Sequence, residues 1–70
     1  MNDNDKAIMG QVKPYFLAFK KTRTLDIPEH LINEVQRMNK QRTGQRIAAC
    51  GSCWINALTS LLIESGHGTD

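Results

Sequence analysis

The residues whose types and spacing point most directly to chemistry are two cysteines three positions apart, in the segment CGSCW at 50–54. Such a CxxC pair is half of a typical zinc site, in which four sulfur or nitrogen ligands surround the ion. His30 and His67 are the residues that would complete the set with Cys50 and Cys53. A second closely spaced ligand pair is missing, so zinc is an alternative here and not our prediction.

Thiol chemistry and packing are the other two interpretations of the cysteine pair. A thiol at a helix N-terminus, where Cys53 could lie, is a stabilised nucleophile, but the βαβ pattern that usually surrounds a redox CxxC is absent. The N-terminus of the chain does not resemble a signal peptide, and a reducing compartment disfavours structural disulfides. We therefore predict that Cys50 and Cys53 are free thiols that pack with Trp54 at a junction of two helices, without a cofactor.

The same segment resembles the nucleophile segment of papain-like cysteine proteases, with Cys53 in the position of the nucleophile. That family also requires a histidine and an asparagine or aspartate much further along the chain. Only seventeen residues follow Cys53, and Ile47 occupies the position of the family's oxyanion glutamine. The resemblance covers five residues, and we predict that the protein is not an enzyme.

A basic segment spans residues 20–46, with seven bases and three acids, whereas the flanking parts carry no excess of bases. Its bases are Lys20, Lys21, Arg23, Arg37, Lys40, Arg42 and Arg46. Basic, amide and hydroxyl side chains contact phosphates, so this segment is a candidate contact for nucleic acid or for a protein partner. The apolar helix predicted after it offers hardly any basic side chain to read bases, so nucleic-acid binding would be of the backbone type and salt-sensitive.

Apolar residues at helical spacing predict three helices and an all-α fold, a small three-helix bundle. The first helix has an apolar stripe and is expected to be kinked near Pro14. The stripe is made of Ile8, Val12, Tyr15, Phe16 and Phe19. Two further residues within or just after this helix, Lys20 and Lys21, suit its C-terminal end.

The second and third helices are expected to be antiparallel neighbours. Asp26 is the predicted N-cap of the second helix, with Pro28 in its first turn. The alternative is a cap one residue later, because the proline restricts Ile27. Thr43-Gly44 is the predicted end of this helix. Its inward face is Leu31, Ile32, Val35 and Met38. The third helix begins near Ile47 or Gly51 and closes at Ser65-Gly66. Its core stripe is Trp54, Ala57, Leu58, Leu61 and Leu62.

The chain is predicted to be one domain over 1–70, with short disordered ends at about 1–5 and 66–70. Its most apolar stretch is too short to span a bilayer, so no membrane role is expected. The polar, acidic N-terminus indicates an intracellular protein, located in a host cytoplasm or in a virion.

Asn39, then Thr43-Gly44, the CxxC pair and an apolar helix together resemble small uncharacterised helical proteins encoded by bacterial viruses. The resemblance covers about half of the chain. It implies a phage accessory protein, or a minor structural component of the virus particle, that contacts a larger assembly. Our prediction is accordingly a non-enzymatic, phage-type accessory protein that docks on a larger protein or nucleoprotein. A nucleic-acid-binding module that uses the basic segment is the alternative.

Overall fold

The computed structural model describes residues 2–69 and confirms the predicted all-α, three-helix fold. The helices are α1 (Asp3–Thr22), α2 (Glu29–Thr43) and α3 (Gly51–Glu64), and each contacts the other two. The described residues include no strand. None of these helices combines the length and apolar character that crossing a membrane requires.

Helix α1 begins one residue after Asn2, whose side chain accepts a hydrogen bond from the backbone N–H of Asp5 at 2.7 Å. It continues without interruption through Pro14, so the predicted kink stays a prediction. Its buried face lies slightly to one side of the predicted stripe. Met9, Val12 and Phe16 are buried, whereas Ile8, Tyr15 and Phe19 are only partly covered.

The predicted N-cap of α2 is wrong. Pro28, not Asp26, precedes the first helical residue, and no side chain caps this end. The residue before a proline is kept out of the helical conformation, and here that residue, Ile27, is 7% exposed and packs into the core. The carbonyl of Pro28 instead accepts the N–H groups of Leu31 and Ile32, both at 3.0 Å. The predicted end is confirmed, with Gly44 in the left-handed conformation at φ 79°.

The core is formed by one face of each helix together with two residues from the connections. On α2, Leu31, Val35 and Met38 are buried as predicted. Leu58, Leu61 and Leu62 of α3 are completely buried, and Ile27 and Ile47 join them from the two connections.

Helices α2 and α3 run in the same direction, so the predicted antiparallel arrangement is wrong. Trp54 in the first turn of α3 lies beside Ile32 near the start of α2. Leu61 near the end of α3 lies beside Met38 in the second half of α2. The reason lies in the connection 44–50, which turns back along α2 before α3 begins.

This return is held by polar side chains of α2. The side-chain amide of Gln36 donates to the carbonyl of Ile47 at 3.2 Å and accepts the N–H of the same residue at 2.7 Å. Asn39, which is 8% exposed, donates from Nδ2 to the carbonyl of Gln45 at 3.0 Å. Backbone N–H and C=O groups of the connection are therefore hydrogen-bonded to side chains of α2.

The C-terminal residues 66–69 pack back against α1, and the expected disorder at the two ends of the chain stays a prediction. The His67 ring donates from Nε2 to the carbonyl of Lys6 at 2.7 Å, and Lys13 donates to the carbonyl of His67. A Cβ at Gly10 would lie 3.2 Å from the His67 ring, so glycine permits this close approach. At the other end, residues 3–5 form the first turn of α1. Met1 and Asp70 lie outside the described residues.

Replacing Gln36 with alanine should destabilise the protein by about 2 kcal/mol, because it leaves two backbone groups of Ile47 without their partner. Chemical denaturation measures the loss, and hydrogen exchange should show faster exchange of the Ile47 amide. Gln41→Ala, on the exposed side of α2, is the matched control, with a change within about 0.5 kcal/mol. Unchanged protection of the Ile47 amide in Gln36→Ala would contradict this account of the connection.

Candidate functional site

An open groove lies where the α1–α2 connection meets the first turns of α2 and α3. Its volume is about 390 Å³, and its lining consists of Leu25, Asp26, Ile27, Ile32 and Trp54. Ile27 is the buried member, and Leu25, Ile32 and Trp54 are partly exposed. A volume of this size falls within the range of roughly 300–1,000 Å³ that is typical of binding pockets.

Trp54 is the largest side chain of this groove. The prediction that it is a core residue holds only in part, because the indole packs against the core yet remains partly exposed. Within residues 2–69 the indole N–H has no hydrogen-bond partner, and no buried side-chain nitrogen or oxygen is left unpaired. The N–H therefore reaches solvent and is available to a ligand.

Asp26 gives the groove a negative rim. Its side chain is exposed and makes no ion pair with any described residue. Sequence reasoning assigned Asp26 to a helix cap and missed the groove. The available signal was the pattern Leu25-x-Ile27-Pro28, in which two apolar residues in a connection next to a proline indicate a loop that packs on the core.

The cysteines do not form the buried thiol pair that we predicted. They are joined in a disulfide, Cys50 is exposed and Cys53 is half-buried. Cys50 is the extended N-cap of α3, and its Sγ accepts the N–H of Cys53 at 3.2 Å. Cys50 is exposed because Ile47 is the last residue of the connection that is buried and hydrogen-bonded to α2. Residues 48–52 after it all lie on the surface.

The candidate zinc ligands are not brought together. His67 lies against α1, and His30 is an exposed residue in the first turn of α2. Among residues 2–69, no three or more histidine, cysteine or acidic side chains are grouped in a way that could hold a metal ion. Because Cys53 is bonded to Cys50, it is also not the free thiol that the protease resemblance implies.

Two arginines of the basic segment are engaged in ion pairs within the protein. Arg37 donates to Asp5 at 2.8 Å and to Glu34 at 2.7 Å, and these hydrogen bonds, the one with Asp5 first, raise the pKa of Arg37 above its ordinary value. Arg42 forms an ion pair with Glu64 of α3. These guanidinium groups are directed to carboxylates of the same molecule.

The remaining bases do not gather into one patch. Lys20 donates to the carbonyl of Thr69 and lies 5.6 Å from the centre of the Phe16 ring. Four bases of the basic segment make no ion pair with a described residue, and they are Lys21, Arg23, Lys40 and Arg46. The first two lie at the C-terminal end of α1 and the others near the C-terminal end of α2. Because α1 and α2 are antiparallel, as the pairing of Asp5 with Arg37 requires, these are opposite ends of the molecule.

Trp54→Ala should lower the free energy of unfolding by about 2 kcal/mol, since the indole is only partly buried. Leu58→Ala on the same helix removes a completely buried side chain and should cost about 3–4 kcal/mol. Thermal melts followed by circular dichroism compare the two. A larger loss for Trp54→Ala than for Leu58→Ala would show that the tryptophan is a core residue after all.

Binding to mixed-sequence DNA and RNA should be weak, with a Kd above about 10⁻⁴ M even at low salt, because the unpaired bases are split between two ends. Fluorescence anisotropy at two salt concentrations measures it. Lys21→Ala with Arg23→Ala, and Lys40→Ala with Arg46→Ala, are matched double variants for the two ends. Micromolar binding that collapses with salt and with one of these pairs would favour the nucleic-acid alternative.

No family model, curated protein or solved structure matches this chain at a significant level. The resemblance to small phage-encoded proteins therefore stays a prediction from the sequence. What the chain can do is inferred from its own groove, its disulfide and its charges.

Proposed function

We propose that this protein is a non-enzymatic docking module that binds a segment of a larger protein partner in the groove beside Trp54. The observation that carries the proposal is the groove itself, in which a partly exposed tryptophan and two partly exposed aliphatic side chains surround an open volume of about 390 Å³. An accessory protein of a phage, or a minor component of a virus particle, would use such a groove to attach to its assembly.

The composition of the groove suits protein recognition. Tryptophan is among the residue types most enriched at the few interface positions that supply most of the binding energy. Such residues lie in apolar pockets from which binding excludes water. The indole N–H of Trp54 is free to donate to a backbone carbonyl of a docked segment. Leu25 and Ile32 supply apolar walls whose remaining exposure a partner would remove.

The negative rim of the groove supports a partner segment that carries a basic residue. The carboxylate of Asp26 has no cation among the described residues, so a lysine or arginine of the partner would find an unneutralised acid there. The proposed ligand is accordingly a short segment with one or two bulky apolar side chains next to a basic residue. A groove this small implies a modest interface, suited to a transient contact or to one of several contacts in an assembly.

The charges give nucleic-acid binding less support. Arg37 and Arg42, two of the seven bases of the basic segment, pair with acids of the same chain. Phosphate binding at those positions would first have to break these pairs. The docking function therefore rests on the apolar groove, and the basic side chains act at most on the rate of encounter.

Selection from a library of random peptides against the intact protein tests this proposal. We expect enriched peptides to share a bulky apolar residue next to lysine or arginine, and to bind with micromolar Kd, as measured by calorimetry. Trp54→Ala should weaken binding at least about tenfold, since truncation of such an anchor costs more than roughly 1–2 kcal/mol.

Ile63→Ala is the matched control, because Ile63 is an apolar residue of the same helix that is 62% exposed and lies outside the groove. Its binding should equal that of the unmodified protein. Asp26→Asn should weaken only those peptides that carry the basic residue. A library without enriched peptides, or equal binding by folded Trp54→Ala, would rule out the groove as the docking site.

A further inference from the structure

The disulfide between Cys50 and Cys53 is placed where a solvent molecule can reach one of its sulfurs. Cys50 belongs to an exposed run, residues 48–52, whereas Cys53 is half-buried against the core. The two cysteines are the only ones in the chain. Any exchange at this site therefore occurs without competition from another thiol of the protein.

A cross-link between residues three apart contributes little to the fold. The stabilisation that a disulfide derives from restricting the unfolded chain grows with the length of the loop it closes, and this loop is among the shortest that occur. The core residues of α3, Leu58, Leu61 and Leu62, lie beyond the turn that contains the cysteines. We therefore expect the packing of α3 to persist when this bond is broken.

We propose that Cys50–Cys53 is a thiol–disulfide exchange site, at which an external thiol attacks Sγ of Cys50. The attacking thiolate forms a new S–S bond with Cys50, the bond between Cys50 and Cys53 breaks, and Cys53 leaves as a thiolate that takes a proton from water. A second thiol then attacks the external sulfur of this mixed disulfide and releases Cys50. In sum, two thiols are oxidised to one disulfide, and the protein disulfide is reduced to two thiols.

The surroundings of Cys50 favour both steps. Its exposure directs attack to Cys50 and away from Cys53. When Cys50 is the leaving group in the second step, its negative charge lies at the N-terminus of α3, where the N–H of Cys53 donates to Sγ at 3.2 Å. The first turn of α3 contains no acidic residue that would oppose this charge. The hydroxyl of Ser52 lies 3.7 Å from the same sulfur.

Thiol–disulfide exchange at this site does not require a ligand in the docking groove. Trp54 lines the groove and is also the neighbour of Cys53 in sequence. Trp54 follows Cys53 directly and is the only tryptophan of the chain, so its fluorescence reports on the state of the neighbouring disulfide. The reactivity of the two sulfurs tests this proposal, and peptide binding in the groove does not affect the outcome.

The test is equilibration of the intact protein in glutathione buffers of graded redox ratio, followed by acid quenching, alkylation and mass spectrometry. We expect a single transition from no alkylated cysteine to two within the range that glutathione buffers cover. Trp54 fluorescence should follow the same transition, and the far-ultraviolet circular dichroism should stay unchanged. A disulfide that resists the most reducing buffer while the protein is folded would overturn the proposal.

Single-cysteine variants identify the sulfur that is attacked. With oxidised glutathione, Cys53→Ser should form a mixed disulfide through Cys50 at least about tenfold faster than Cys50→Ser does through Cys53, because Cys50 is exposed and its sulfur accepts the N–H of residue 53, whereas Cys53 is half-buried. Both variants should keep α3, and circular dichroism checks this before the rates are compared. Equal rates, or faster reaction at Cys53, would contradict the assignment of Cys50 as the attacked sulfur.

Discussion

The pair of hydrogen bonds between the Gln36 side chain and the backbone of Ile47 is the contact on which the arrangement of this bundle depends. Without a reason to turn back, a chain leaving α2 at Gly44 would start its next helix at the nearest end and run antiparallel. The amide of Gln36 accepts and donates to one residue of the connection, and Asn39 holds Gln45 one turn further along. The connection is thereby laid along α2, and α3 starts at the same end as α2 does.

That placement explains why the candidate sites lie together. Because α3 begins beside the start of α2, its first turn faces the connection between α1 and α2. Trp54 then completes a groove with Leu25 and Ile32, while Cys50 and Cys53 lie at the exposed start of the same turn. An antiparallel α3 would have carried the cysteines and the tryptophan to the opposite end, away from the Leu25–Ile27 loop.

Two of the seven bases of the basic segment connect helices to one another. Arg37 connects the first turn of α1 to α2 through Asp5, whose side chain is only 10% exposed, and Arg42 connects α2 to the end of α3 through Glu64. Because the carboxylate of Asp5 is mostly buried, loss of Arg37 would leave a buried charge without its partner. In the folded protein, two bases of the basic segment pair with acids of other helices, and the others lie apart on the surface.

The sequence by itself determined the local features of this protein: three helices, the glycine end of α2, the inward faces of α2 and α3, and the all-α class. These follow from the spacing of apolar residues and from turn chemistry, which act over a few residues. Only the tertiary structure decided the direction of α3, the partial exposure of Trp54 and the pairing of Arg37 and Arg42 with acids of the same chain. Each of these depends on contacts that the local pattern does not contain, such as Gln36 with Ile47 and Arg37 with Asp5, eleven and thirty-two residues apart. Apolar periodicity tells which face of a helix is buried, but it does not tell which neighbour covers that face or which acid a base will meet.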